Sequence, residues 1–178
     1  MTVDCPFECE FLQEARKHEK HTEVDEASIP NRDIRVSERA LDEQRELVEY
    51  VSQQLLQSAL AISGVVDFDV RETLEALIRT YRTLQSGIYY ESLPENRLAA
   101  HLYRALQEGL EQFRQQERER LGITHTRDAD VLLTLAFLQR LELDRNNGRR
   151  RGRAFLDLLQ EFYGGPPEAN SRPSLILP

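Results

Sequence analysis

The sequence predicts an all-α protein: a helical bundle of about five or six helices, mostly antiparallel, preceded by an N-terminal helix and extended arm and followed by a short C-terminal tail. Three observations carry this. Apolar residues recur three and four positions apart along most of the 178 residues, which is the helical period. Runs of β-branched residues are few, and there are only eight glycines to punctuate strands. Charged residues reach 30% against 40% hydrophobic, which suits thin helical layers with wide solvated faces better than a deep α/β core. The length fits one domain with appendages, divided as residues 1–35, 36–165 and 166–178.

In chain order, Pro6 suits a first helical position, and Phe7, Phe11, Leu12 and Ala15 give a short stripe toward His21. From Thr22 to Arg35 the pattern dissolves into an arm, laid across the bundle by Ile29 and Ile34. Ser37 is a good N-cap for a helix striped by Leu41, Val48, Val51, Leu55, Ala59 and Ile62 and stopped at Ser63-Gly64. An apolar connector, Val65 to Phe68, tucks inward. The axis of the bundle is then expected from Asp69 to Tyr90, with Val70, Leu74, Leu77, Tyr81, Leu84 and Ile88 on one seam. Asp69 and Glu72 are spaced as its capping box.

Ser92 and Glu95 repeat that spacing, with Pro94 between them, ahead of a helix bearing Leu98, Leu102, Ala105, Leu106, Leu110 and Phe113. Past Phe113 the run is nearly all polar, so that end is expected to project into solvent or meet a partner before Gly122 stops it. Thr126 can cap a fifth bundle segment whose middle, Val131 to Leu141, is apolar almost all round and must be covered on most sides. It breaks at Asn146-Asn147-Gly148. A last helix, about Gly152 to Tyr163, shows Phe155, Leu156, Leu159 and Phe162 before a Gly/Pro stop.

Charge and motifs narrow the function classes. A net charge of −8 argues against general affinity for nucleic acid or anionic membranes. No apolar run reaches the ~18 residues of a membrane span, and the N-terminus lacks the basic and apolar regions of a signal peptide, so a cytoplasmic protein is expected. Two cysteines in the first nine residues cannot form a disulfide framework. Of 23 basic residues only Lys17 and Lys20 are lysines; a GC-rich coding sequence accounts for that bias more simply than bidentate recognition by arginine. Nucleophile elbows, zinc-protease motifs, phosphate loops and dinucleotide fingerprints are missing, so the chain leans away from being an enzyme.

Four features remain. Cys5, Cys9, His18 and His21 are zinc-ligand types, yet on one helix Cys9 and His18 would lie on opposite faces and ~13 Å apart along the axis. A smaller role survives for Cys5 and Cys9, one turn apart near a helix start: a redox pair, or a metal ion shared between chains. The second feature is a basic turn. Arg140, Arg145, Arg149, Arg150, Arg151 and Arg153 fall within fourteen residues that hold two acids. With a helix start beside them they could take a phosphate or an acidic peptide, including the chain's own first thirty residues, which carry eight acids against three bases. No aromatic side chains are interleaved to stack bases. The third is an aromatic exit, Tyr81, Tyr89 and Tyr90 with His101 and Tyr103 nearby, where Tyr81 is core and His101 a buried, hydrogen-bonded histidine. The fourth is the tail, where Leu175, Ile176 and Leu177 either fold back or enter a partner's groove.

The functional expectation is a protein–protein interaction or scaffold module without catalytic activity or resident cofactor, binding a protein partner or a second copy that covers the apolar helix. A redox- or metal-responsive module built on Cys5 and Cys9 is the alternative. Phosphate or nucleic-acid binding at the arginine turn is the third.

Overall fold

The computed structural model describes residues 29–164. The expected helix before His21, the Cys5, Cys9, His18 and His21 set, and the Leu175, Ile176 and Leu177 tail therefore lie outside the described residues. Within them there are six helices and no strand. They are α1 (Glu38–Glu43), α2 (Arg45–Ala61), α3 (Asp67–Gln85), α4 (Arg97–Leu121), α5 (Asp128–Arg145) and α6 (Ala154–Tyr163).

Ser37 caps α1 as expected, its hydroxyl accepting the Ala40 N–H. The single helix expected from Ser37 to Ile62 is instead interrupted at Gln44, whose φ of −107° and ψ of 19° are not helical. No residue of α1 is buried, whereas α2 buries Leu47, Val51, Leu55, Leu56 and Ala59. Packing holds α2 in line and leaves α1 free to turn away. Of the connector expected to tuck inward, Val65 is fully buried, whereas Phe68 is about half exposed and already lies in the next helix.

The axial helix begins earlier and ends earlier than its seam suggests. Asp69 is not its N-cap but its third residue: its carboxylate accepts the Val66 N–H at 2.9 Å. At the other end Gly87 turns left-handed (φ 77°), and the Gly87 and Ile88 N–H groups return to Leu84 and Thr83 carbonyls. This pair of bonds is the Schellman ending. Val70, Leu74, Leu77 and Tyr81 are buried as the seam requires, but Ile88 leaves it.

α4 also starts late. Asn96, not Ser92, is its N-cap, its side chain accepting from the Leu98 N–H while donating to Asp69 at 2.5 Å. Gly122 ends the helix in the left-handed conformation, as expected. The polar end of α4 is not wholly in solvent. Glu117 is buried and its carboxylate accepts the Thr126 N–H, and Arg114 pairs with Asp128 at 2.6 Å. Thr126 is thereby held before α5 rather than capping it; the cap position is Arg127.

The pairings follow from side chains that meet. α3 packs most extensively on α5, antiparallel, with Arg71 opposite Glu142 at one end and Arg114 bridging Tyr81 to Asp128 at the other. α2 lies antiparallel to α4, with Tyr50 on Phe113 (4.9 Å) and Glu46 beside Arg120. α3 and α4, by contrast, run in the same sense: Thr73 bonds Ala99 and Thr80 bonds Tyr103. α6 buries Phe155, Leu156 and Leu159 against α2, α5 and α3. α5 receives its cover from α3, α2 and α6, so the chain itself supplies what a second copy was expected to provide.

The arm rests on this frame. Ile34 packs on the core, while Asn31, at φ 54°, donates to Gln139 and accepts from Arg82, both at 2.8 Å. Arg140 donates to the Asn31 and Ile34 carbonyls.

Parallel neighbours cannot be joined by a tight turn. α3 ends at Gln85 and α4 begins at Arg97, so eleven residues, 86–96, carry the chain back along α3. A nineteen-residue helix is about 28 Å long, and eleven extended residues reach about 36 Å. This strap is fastened at Thr83, which donates to the Tyr90 carbonyl; at Thr80, which accepts from the Ser92 N–H; and at Asp69, which accepts from Asn96. The Thr80 hydroxyl, fully buried, also donates to the Ala76 carbonyl and accepts the Tyr103 hydroxyl at 2.9 Å. Thr80→Val keeps the shape but orphans two donors, so it is expected to lower unfolding free energy by about 1–3 kcal/mol in urea denaturation. A change below ~0.5 kcal/mol, the range of a neutral surface substitution, would show that the hydroxyl is not the fastening.

Candidate functional site

The first surface that stands out is the outer side of the strap. Its backbone is pinned to α3, yet Ile88, Tyr89 and Tyr90 are 62%, 70% and 65% exposed, and Leu93 is about half exposed. The Tyr89 hydroxyl donates to the Glu91 carboxylate two residues on, which holds the ring along the strap. Tyr81 and Tyr103 belong to the core instead, and burial pushes the Tyr81 hydroxyl up to about 12. His101 is exposed, contrary to the expected buried histidine, because it lies on the α4 face opposite Leu102 and Leu106.

The second surface is the arginine turn between α5 and α6. Asn146 and Asn147 side chains accept the Gly148 and Arg149 N–H groups, and Gly148 is left-handed (φ 68°). Arg149, Arg150 and Arg151 are exposed, Arg153 is half-buried at the α6 start, and Arg145 pairs with Asp144 at 3.0 Å. Of the six arginines that the sequence singles out, Arg140 is turned to the Asn31 and Ile34 carbonyls instead, and the other five lie at or beside the turn. The helix start beside them is differently disposed. Asp67, buried at the head of α3, aims its carboxylate at α6 and accepts the Phe155 and Leu156 N–H groups at 3.1 and 3.2 Å. Those amides are therefore engaged by an internal anion. The Asp67 N–H in turn donates to the Gly152 carbonyl.

Burial raises the Asp67 carboxyl to about 7, against the pull of its two N–H donors and with added repulsion from Glu142 and Asp157. Glu142, fully buried, is also raised by burial, offset by a bidentate pair with Arg71 at 3.0 Å on both oxygens. Sequence inspection misses Asp67 and Glu142 as partners of this turn, since Asp67 bonds residues 88 and 89 positions away. For the strap a signal exists: Gly87 and Pro94 bracket Tyr89 and Tyr90 and leave no helical stripe between them. Among the described residues no group of three or more His, Cys, Asp or Glu side chains is arranged to hold a metal ion, and no helix is long and apolar enough to cross a membrane.

Fold and surfaces together define a helical bundle with one long crossover connection, carrying an aromatic strap on α3 and a basic turn at the end of α5. Comparison with known protein families, curated proteins and solved structures finds no match to this chain.

Two outcomes follow from the Asp67 junction. The folded carboxyl near 7 lies above its ordinary value of 3.8, so between these values the folded chain holds a proton that the unfolded chain has released. The stability this group contributes is fully present below about pH 4 and is lost as pH rises through about 7. Between pH 5 and 8 the wild type should lose on the order of 2 kcal/mol more than Asp67→Asn in urea unfolding; parallel profiles would contradict this. The other outcome concerns Gly152, where an added Cβ would sit 2.3 Å from the Asn147 side-chain oxygen and 3.1 Å from the Arg149 carbonyl. Gly152→Ala should cost about 1–3 kcal/mol in the same assay, whereas Arg150→Ala should stay within about 0.5 kcal/mol.

Proposed function

We propose that this protein is a binding module that presents the strap to an apolar segment of another protein, and that recognition rather than chemistry is its task. The observation that supports the reading is the disposition of residues 88–93: backbone fastened at Ile88, Tyr90 and Ser92, large apolar side chains turned outward. A strap needed only to connect two helices would gain by turning those side chains toward the core, where each would contribute about 1.5–3 kcal/mol. Tyrosines held in place by their backbone lose little entropy on binding and supply both ring area and a hydroxyl, which is why they concentrate at interface hot spots. The partner surface that fits is apolar with a hydrogen-bond acceptor at its edge for the Tyr90 hydroxyl, the Tyr89 hydroxyl being engaged by Glu91.

The test is site-specific photocrosslinking from position 89 in the full chain, with exposed Arg39 as the control position. The expected result is one discrete adduct from position 89, lost when Ile88 and Tyr90 are changed to Ser, together with at least a tenfold weaker affinity of that Ser variant for the purified adduct partner. An adduct of twice the chain mass would make the partner a second copy. No adduct beyond the control, or one that survives the Ser changes, would overturn the reading.

A further inference from the structure

Ile88, Tyr89 and Tyr90 are consecutive, and all three are exposed. Successive side chains of extended backbone point to opposite faces, so a strap lying flat on α3 would bury every second one. The exposure follows if the strap stands on its edge. In extended backbone the N–H and carbonyl of one residue point to one side, and those of the next residue to the other. Three main-chain groups meet α3: the Ile88 N–H on the Thr83 carbonyl, the Tyr90 carbonyl on the Thr83 hydroxyl and the Ser92 N–H on the Thr80 hydroxyl. All three belong to alternate residues. Tyr89 and Glu91 lie between them, and their N–H and carbonyl groups make no hydrogen bond among the described residues. The Tyr89 hydroxyl reaches Glu91, as side chains two apart on one face can. One edge of the strap is thus engaged by α3, and the opposite edge is unpaired.

An unpaired edge of extended backbone is a template for a second extended segment. This one is short, bounded by the left-handed Gly87 and by Pro94, which has no N–H to offer a ladder. Glu91 is exposed on it, so a basic side chain opposite is favoured and an acidic one disfavoured. We infer that the strap takes its partner by strand addition: an extended peptide carrying a basic residue pairs its main chain with Tyr89 and Glu91, and its apolar side chains lie against Ile88 and Tyr90. The inference rests on the strap being the recognition surface and specifies how that surface recognises. Main-chain pairing supplies affinity, and the two side-chain faces of the strap supply selectivity.

Nuclear magnetic resonance of the isotopically labelled full chain tests this, with a capped five-residue peptide, Val-Thr-Lys-Thr-Val, as the probe at millimolar concentration. The Tyr89 and Glu91 amides should shift downfield and exchange more slowly as peptide is added, while Ile88 and Ser92, already bonded, move little. N-methylation of one alternate set of peptide residues should weaken binding about tenfold or more, because two or more main-chain hydrogen bonds are lost. N-methylation of the other set should leave affinity unchanged. Glutamate in place of the peptide lysine should weaken binding about threefold, and Glu91→Lys should reverse that preference. Equal effects of the two N-methylated sets would mean contact through side chains alone. That result would overturn strand addition, while the crosslink from position 89 would still decide whether the strap binds at all. No response at Tyr89 and Glu91 would overturn it too. So would protection of those amides that rises with protein concentration before any peptide is added, which would place a second copy on the edge.

Discussion

Because α3 and α4 are neighbours that run in the same sense, the chain between them must travel the length of α3 outside the bundle. That travelling segment cannot form a helix and has no sheet to join, yet each of its amides and carbonyls needs a partner or water. Threonine hydroxyls on the helix it crosses supply some of them. Thr80 is the junction: it is fully buried, it meets Tyr103 of α4 on one side and the Ser92 amide of the strap on the other. The hydrogen-bonded backbone faces inward, and the aromatic side chains are left outside. The exposed face that supports a binding role is thus a consequence of topology together with the residues chosen for it.

The opposite economy operates at the α5–α6 junction. One carboxylate, Asp67, ends the connector, begins α3 and caps α6. It is buried, and two N–H donors do not offset its lost hydration, so it takes up a proton more readily than an exposed aspartate. By filling the helix start it engages the Phe155 and Leu156 amides beside the arginine turn.

Much of the fold is legible in the sequence where local chemistry decides it. The seam Val70, Leu74, Leu77 and Tyr81, the left-handed stop at Gly122, the left-handed turn residue Gly148 and the inward turn of Val65 all follow from spacing and glycine. Boundaries that depend on distant partners do not. Asn96 displaces Ser92 as a cap because Asp69, twenty-seven residues earlier, receives its amide. Thr126 yields the cap position because Glu117 takes its N–H. Ile88 matches the helical period by coincidence, and only the Gly87 ending removes it from the seam. Of the surfaces, the arginine turn is visible as composition and the strap's tyrosines as a helix-free stretch between Gly87 and Pro94, while the fastening of the strap and the role of Asp67 require knowing which helices are neighbours.

Backbone hydrogen exchange in the unbound full chain examines the strap most directly. Ile88 and Ser92, whose amides are bonded to Thr83 and Thr80, should exchange slowly, like the ends of α3. Tyr89 and Glu91 between them should exchange quickly. Uniform fast exchange across residues 86–96 would mean that the strap is not held against α3, and that no preformed aromatic surface exists for a partner to bind.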